Sequence, residues 1–444
     1  MDLEIQTIFQ NSISENVIEN NLYSLYGVKK GLRNEDGTGV LIGLTRIADV
    51  VGYNKVDGKK MDAEGQLYYR GISIFDLTKN LDTNKICGFE EICFLILFGH
   101  LPNRQELEVF MKELQSLYAL PDGFLANNIL RYPGMNVMNK IQRSLLMLYD
   151  NDENADDSSV ENTFKQGLSI LAKLPAMICY AYQAKAHVLH NESLYIHHPD
   201  TNASIAENIL RMIRPDCKFS ELEAKILDLM LVLHADHGSG NNSTFTNIVV
   251  SSTDTDIYSA FSASVGSLKG PRHGGANIAT NNMMKAVIDE IGIYATDTEI
   301  KALVEKILDK QFYDCKGLVY GMGHAVYTLS DPRSVILKEQ AKALAIEKNQ
   351  LDTFTFYSKF EQIAKDVIYE RKHIHVCSNV DFYSGYVYQM MNIPEDLYSP
   401  LFVASRCVGW LAHNIENKLY CNRIVRPAGK YVGETMEYIP MEKR

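Results

Sequence analysis

Cysteine pairs at metal-binding spacing are missing from this chain. Its eight cysteines (Cys87, Cys93, Cys179, Cys217, Cys315, Cys377, Cys407, Cys421) are scattered, with no CxxC among them. That removes the commonest zinc frameworks. Cys93 and Cys407 lie in apolar runs, where a free thiol packs as a small hydrophobe, which fits a reducing compartment. Long hydrophobic runs are missing too. No stretch of about 18 apolar residues occurs, so no spanning helix is expected. The first residues, MDLEIQTIFQNSISENVIEN, lack the basic start and apolar core of a signal peptide and the Arg-rich character of a transit peptide. Positive charge is scarce: the formal net charge is −11, which argues against a general nucleic-acid role. Repeats and low-complexity tracts are absent, and strand signals are few. The expectation is a soluble cytoplasmic protein of mainly α class. An acidic protein that binds an acidic small molecule must gather its cations locally, so buried or clustered arginine is the thing to look for.

At 444 residues, with 46% apolar and 22% charged, the chain has the composition of an ordinary globular enzyme of about two domains. Residues 1 to about 30 carry apolar positions at helical spacing. Residues 38–71 differ: β-branched runs broken by Asp-Gly predict a small hairpin region. From Phe89 on, helices dominate. GFEEICFLILFGHLP predicts an apolar helix ending at Gly99, and Asn103 opens an amphipathic one. Ser220 with Glu223 makes a capping box for a helix that runs into HADHGSGNNST. Further helices are expected near 256–268, 275–291, 298–312, 334–349 and 354–371. A last one is expected from Pro400 to Tyr420, with Ser399 as its cap. His373 and His375 flank a short apolar run expected to be a strand.

Chemistry concentrates in a few segments. In GLVYGMGHAVYTLSDPR, His324 follows Gly321 and Gly323, and Asp331-Pro332 reads as a helix start with Asp331 as N-cap. Arg333 then sits at the positive end of a helix, an odd place for a cation unless an anion comes to it. His234 and His237 stand in HADH, and His273 in GPRHGG. Histidines i and i+3 in HADH suit half of a metal site, yet no further ligand lies nearby at ligand spacing, so no metal is expected. Arg406 lies in LFVASRCVGWLAH, apolar all round and therefore buried. A buried guanidinium needs a partner, either a protein carboxylate or a bound one. Arg426 follows in the extended tail segment IVRPAG. Asp381 in SNVDFYSG is either an N-cap, with Ser378 and Asn379 as rivals, or a general base beside Phe382 and Tyr383.

Together these segments resemble the citrate synthase family. HADHGSGNNST, GPRHGGAN, GMGHAVYTLSDPR, NVDFYSG, SRCVGWLAH and IVRPAG are similar to the family's segments, in the family's order. Lesser similarity extends upstream through YRGISIFDL and FEEICFLILFGHLP. The resemblance implies a citrate-synthase-like helical fold of two domains with a small hairpin region near its start. Residues 1–277 and 389–444 would form the large domain, and 278–388 the small one closing over oxaloacetate. It implies condensation of acetyl-CoA with oxaloacetate. Asp381 would be the base, His273 the donor to the thioester oxygen, and His324 the electrophile and proton donor. His237, His324, Arg333, Arg406 and Arg426 would bind oxaloacetate. Arg426 would reach across a homodimer. The backbone of Val319, Gly321, Met322 and Gly323 would meet CoA. No cofactor, metal, nucleic acid or membrane is implied. Many members carry a basic residue shortly after the second histidine. Here Ala325, Tyr327 and Thr328 offer no charge, so the CoA phosphates are left to Lys or Arg from elsewhere, such as Arg272. The rival readings are a 2-methylcitrate synthase taking propionyl-CoA, a metal-dependent hydrolase built on HADH and His273, and a non-enzymatic binding module.

Overall fold

The structure is a computed structural model of the single chain; it describes residues 3–34, 36–57, 59–81, 86–271, 273–421 and 423–444. Arg272, a candidate for the CoA phosphates, lies outside the described residues. The chain divides into two units, Met1–Ile42 with Val425–Arg444, and Gly43–Ile424. In the terminal unit the helix Leu3–Glu15 leaves Leu3, Ile8, Phe9 and Ile13 exposed. The segment from Val425 runs without helix or strand until a single turn at Met441–Lys443.

The main unit is built around the helix Tyr398–Tyr420, which packs on the helices Val160–His190, Glu221–His234 and Asn242–Ser251. Val403 to Asn414 are buried without interruption, as a helix apolar on every face must be. Gly409 lies buried within this run. A Cβ there would lie 2.4 Å from Asp236 Oδ1 and 2.6 Å from Ala235 O. The glycine therefore lets this helix press against the HADH segment. The helix starts two residues before Pro400, because a 3-10 turn, Glu395–Leu397, runs straight into it. Ser399 is accordingly no cap. It lies inside the helix, buried, and donates to Gly274 O at 2.7 Å.

The capping residues read from sequence set most other boundaries. Asn103, Ser220 and Asp331 accept backbone N–H groups of the first turns they precede. Gly99 ends the helix Gly88–Phe98 in the left-handed region. The hairpin is present as β1 (Ala48–Val56) and β2 (Lys59–Tyr69), antiparallel, with a short β3 (Ile72–Ser73) beside β2. The strand expected between His373 and His375 does not form. His373 is a left-handed C-cap, and the following segment makes a single bridge, Met322 with Ser378. Its neighbour on that side is a glycine loop rather than another strand, so no ladder can extend. Among the described residues no helix is long and apolar enough to cross a membrane.

Candidate active site

Three helix ends and two loops converge in the main unit. The helix Pro332–Glu347 brings Arg333. Asp331 caps it, accepting Arg333 N–H at 3.0 Å, and grips the same residue's guanidinium through Nε at 3.0 Å and Nη2 at 2.7 Å. Both side chains are buried. Burial alone would lower the Arg333 pKa, but the Asp331 carboxylate outweighs it and holds the cation charged. Arg333 is thus a fixed charge on a short tether, not a solvated surface group.

His324 reaches the same place from the glycine loop. Gly317, Gly321 and Gly323 all have positive φ, at 74°, 80° and 87°. At Gly321 a Cβ would also meet Phe382 at 2.8 Å and Thr280 at 2.9 Å. The loop is tied to the next segment by Gly323 N–H to Cys377 O at 2.7 Å and Asn379 N–H to Gly321 O at 2.9 Å. His324 Nδ1 accepts the backbone N–H of Val326 at 3.0 Å and of Tyr327 at 3.2 Å. A neutral ring held that way carries its proton on Nε2. Arg333 Nη2 lies 3.5 Å from that nitrogen. Two donors side by side are arranged to share one oxygen acceptor between them.

His237 completes this group. Its ring is 5.2 Å from His324, and Nε2 shares a 3.2 Å hydrogen bond with Tyr327 Oη. Burial, with Arg333 and His324 nearby, pushes His237 well below its ordinary pKa, so it is neutral. Tyr327 stacks on His324 at 4.7 Å. His234, in contrast, faces its own helix, bonding Met230 O through Nδ1 at 2.6 Å, and burial pushes it down to about 3. Asp236 is also fully buried and lies 3.3 Å from His413 Nε2. Among the described residues no set of three His, Cys, Asp or Glu is placed to hold a metal ion.

Arg406 has no exposed surface. Its Nε donates to His234 O at 2.7 Å, and its guanidinium lies 4.7 Å over the Phe402 ring. Nη1 and Nη2 are buried and find no hydrogen-bond partner among the described residues. Burial pulls its pKa down to about 10, with Asp236 opposing. Of the two partners open to Arg406 in the sequence, no carboxylate among the described residues takes the Nη atoms. Leaving donors of a buried charge unpaired costs several kcal/mol, so a ligand carboxylate is the natural occupant.

Asp381 opens the helix Val380–Met390 without capping it. Asn379 is the cap, accepting Asp381 N–H at 3.0 Å. The Asp381 carboxyl is left for other work, and desolvation raises it to about 6, with Arg333 opposing. His273 is held through Nε2 between Asn241 Oδ1 at 3.1 Å and Ser243 Oγ at 3.3 Å. Trp410 Nε1 donates to the same hydroxyl at 3.1 Å. In this arrangement Ser243 Oγ donates to Asn241 Oδ1 at 2.9 Å and Nε2, facing the same acceptor, carries the ring proton; turning the Ser243 proton to Nε2 instead moves the ring proton to Nδ1, where it can be donated. Burial, with Arg406 adding, pushes His273 down to about 4, so it is neutral.

Electrostatics link the six residues. Arg333 feels Asp381, and His237 feels Arg333, His324, Arg406 and His273. Arg426 is exposed and belongs to the terminal unit. Val319 is buried, so its backbone is what it offers, and Met322 turns back to it with an N–H to Val319 O at 3.2 Å. Sequence reading missed Asn241, Ser243, Tyr327 and Trp410. Ser243 and Asn241 were readable as a helix start, but their contact with His273 comes from loops some thirty residues apart.

Residues 36–428 match a family described as citrate synthase, C-terminal domain. The chain is 33% identical over 422 residues to a citrate synthase of Haloferax volcanii, covering 94% of this chain and 99% of that one. It is 31% identical over 403 residues to 2-methylcitrate synthase 2 of Corynebacterium glutamicum, covering 90% and 96%. The citrate synthase structure from Pyrobaculum aerophilum matches with a TM-score of 0.75 at 30% identity, over 91% of this chain and 94% of that chain. That from Thermoplasma acidophilum, a ternary complex with carboxymethyl coenzyme A and oxaloacetate, gives 0.76 at 27% identity, over 94% and 99%. With its helical fold, its hairpin and this convergence of histidines, arginines and one raised carboxyl, the chain belongs to the citrate synthase family.

Proposed function

We propose that the chain condenses acetyl-CoA with oxaloacetate and hydrolyses citryl-CoA to citrate and CoA, the first step of the tricarboxylic acid cycle. The observation that carries this reading is Arg406, whose two buried Nη atoms have no partner among the described residues. Oxaloacetate supplies two carboxylates. Arg406 takes one bidentately, and Arg333, with Asp331 holding its other edge, contributes to the second. The ketone oxygen lies between His324 Nε2 and Arg333 Nη2, with His237 beside it. Asp381 removes a methyl proton from the thioester while His273 Nδ1–H donates to the thioester oxygen. The resulting enol carbon attacks the ketone carbon. His324 Nε2–H supplies the proton to the new alkoxide. Water then cleaves the thioester, giving citrate and free CoA. Side chains carry the protons of the condensation and water supplies those of the hydrolysis, so the scheme calls on no metal or cofactor.

The reading extends to assembly. Residues 278–388 form a small domain that closes over oxaloacetate and brings His324 and Arg333 to it. The backbone of Val319 to Gly323 meets CoA. The protein acts as a homodimer in which Arg426 of one copy serves the site of the other. Mixing Arg406 and Arg426 variants would then restore part of the activity in the heterodimer. A reducing compartment such as the cytoplasm is supported by eight cysteines that form no disulfide among the described residues.

Free-thiol release on mixing oxaloacetate with acetyl-CoA or propionyl-CoA is the direct test. The expected result is release that depends on both substrates and is faster with acetyl-CoA. One methylene is worth about 1–3 kcal/mol in an apolar pocket, so a weaker propionyl activity fits the same site. A faster propionyl reaction would make the chain a 2-methylcitrate synthase instead. No thiol release with either, with oxaloacetate still binding, would favour a binding module.

A further inference from the structure

The ladder between β1 and β2 is interrupted at one place. Val51 pairs with Gln66 and Tyr53 with Asp62, so Gly52 alone faces Ala63, Glu64 and Gly65. The gap is filled by the loop that follows His324. Thr328 Oγ1 donates to Gly52 O at 2.7 Å and accepts Ala63 N–H at 3.1 Å. Ser330 Oγ accepts Gly65 N–H at 3.0 Å, and Leu329 N–H reaches Ala63 O at 3.4 Å. Both glycines are there for approach. A Cβ on Gly52 would lie 2.3 Å from Val326 O and 2.7 Å from Tyr327 Cα, and one on Gly65 would lie 2.2 Å from Ser330 O. Backbone 326–327 therefore lies flat against the hairpin. It is the same backbone whose two N–H groups hold His324 Nδ1. A second part of the hairpin braces the HADH segment: Tyr69 Oη bonds Val232 O at 3.1 Å and Asp236 O at 3.2 Å.

We propose that the bulged hairpin is a seat for the His324 loop and that Thr328 is a positioning residue, fixing the imidazole with its proton on Nε2. Thr328 touches no substrate. It acts by pinning residues 326–327, which otherwise are free to turn their N–H groups away from Nδ1. Once Nδ1 is released, the ring samples both tautomers, and in one of them the proton points away from the ketone. The proposal rests on the reading of His324 as the electrophile.

Thr328→Val keeps shape and removes the hydroxyl. The expected result is a fall in kcat of about 10- to 100-fold, the scale of a small misplacement of a reacting group. KM for oxaloacetate stays near the parent value, since Arg333 and Arg406 are untouched, and Thr328→Ser restores most of the rate. With nitrogen-15-labelled histidine, the parent shows one protonated and one bare nitrogen for His324, and Thr328→Val shows the two averaged. Parent kcat together with a parent His324 spectrum in Thr328→Val would overturn the proposal. So would a loss of rate with the parent spectrum retained. If Thr328→Val does not fold, Ser330→Ala, which removes one hydrogen bond of the seat, carries the same two readouts. His324→Gln separates the two layers. Activity surviving in His324→Gln defeats the electrophile reading, and the spectrum still judges the seat. His324→Gln inactive with Thr328→Val indifferent defeats the seat alone.

Discussion

Asp381→Asn should cost the enzyme its reaction and leave the protein more stable. The Asp381 carboxyl ordinarily titrates at 3.8 and is raised to about 6 here, by burial first, with Arg333 opposing and Asp331 assisting. A raised carboxyl favours the folded state only while protonated. That advantage is complete below the unfolded pKa of 3.8 and is lost as pH rises through about 6. At pH 7 the ionised side chain therefore opposes folding, by up to about 3 kcal/mol at 1.36 kcal/mol per pKa unit. Asparagine mimics the protonated form and removes that penalty. A chain of this length has an unfolding entropy of about 0.9 kcal/mol/K, so the gain amounts to a rise in Tm of up to about 3 °C. The gain should shrink as pH falls below about 6 and vanish only below 3.8. Loss of a general base costs about 10²- to 10⁴-fold in kcat. Thermal unfolding from pH 4 to 8, run beside thiol release, makes the comparison. Lower stability at pH 7, or a gain that grows towards acid, would refute the reasoning. The parent kcat/KM should also rise with pH and level off above about 6, the arm set by Asp381.

Arg406→Met should fold well and unfold no earlier than the parent, because it replaces a buried charge with two unpaired donors by an apolar side chain; a fall in Tm would contradict this. Gly409→Ala should destabilise by about 1–3 kcal/mol in urea unfolding. Its Cβ would meet Asp236 and Ala235, so KM for oxaloacetate should rise with it. Glu90→Gln tests a second buried carboxyl, raised to about 8 by burial and by Asp228. The parent loses the contribution of protonated Glu90 as pH climbs from 4.5 through about 8. The variant should therefore match the parent below pH 4.5 and surpass it in Tm by a margin that grows up to about pH 8.

Much of this site was legible before any coordinates. Arg406 declared itself by its apolar neighbours, and the structure adds the decisive detail that its Nη atoms are unpaired. Asp331, Ser220 and Asn103 were readable because a cap and its helix are adjacent in sequence. The choice among Ser378, Asn379 and Asp381 was not readable, since three neighbouring polar residues compete for one set of N–H groups; Asn379 takes it. Ser399 was misread as a cap because the turn before it carries no obvious helix signal and yet continues the helix. The hairpin was legible as a hairpin, but its purpose was not. Gly52 and Gly65 answer to Val326, Thr328 and Ser330, and the contacts of Thr328 with Gly52 and Ala63 span 276 and 265 residues. Spacing along the chain carries no signal at that range.

Binding of oxaloacetate to Asp381→Asn protein, followed by calorimetry, reaches the centre of the account, because chemistry is then silent and only the anion site is read. Oxaloacetate should bind this variant with heat, and adding Arg406→Met should weaken binding at least about 100-fold, the scale of losing one buried charged partner. Equal affinity in the single and double variants would show that the unpaired guanidinium is not where the substrate's carboxylate goes.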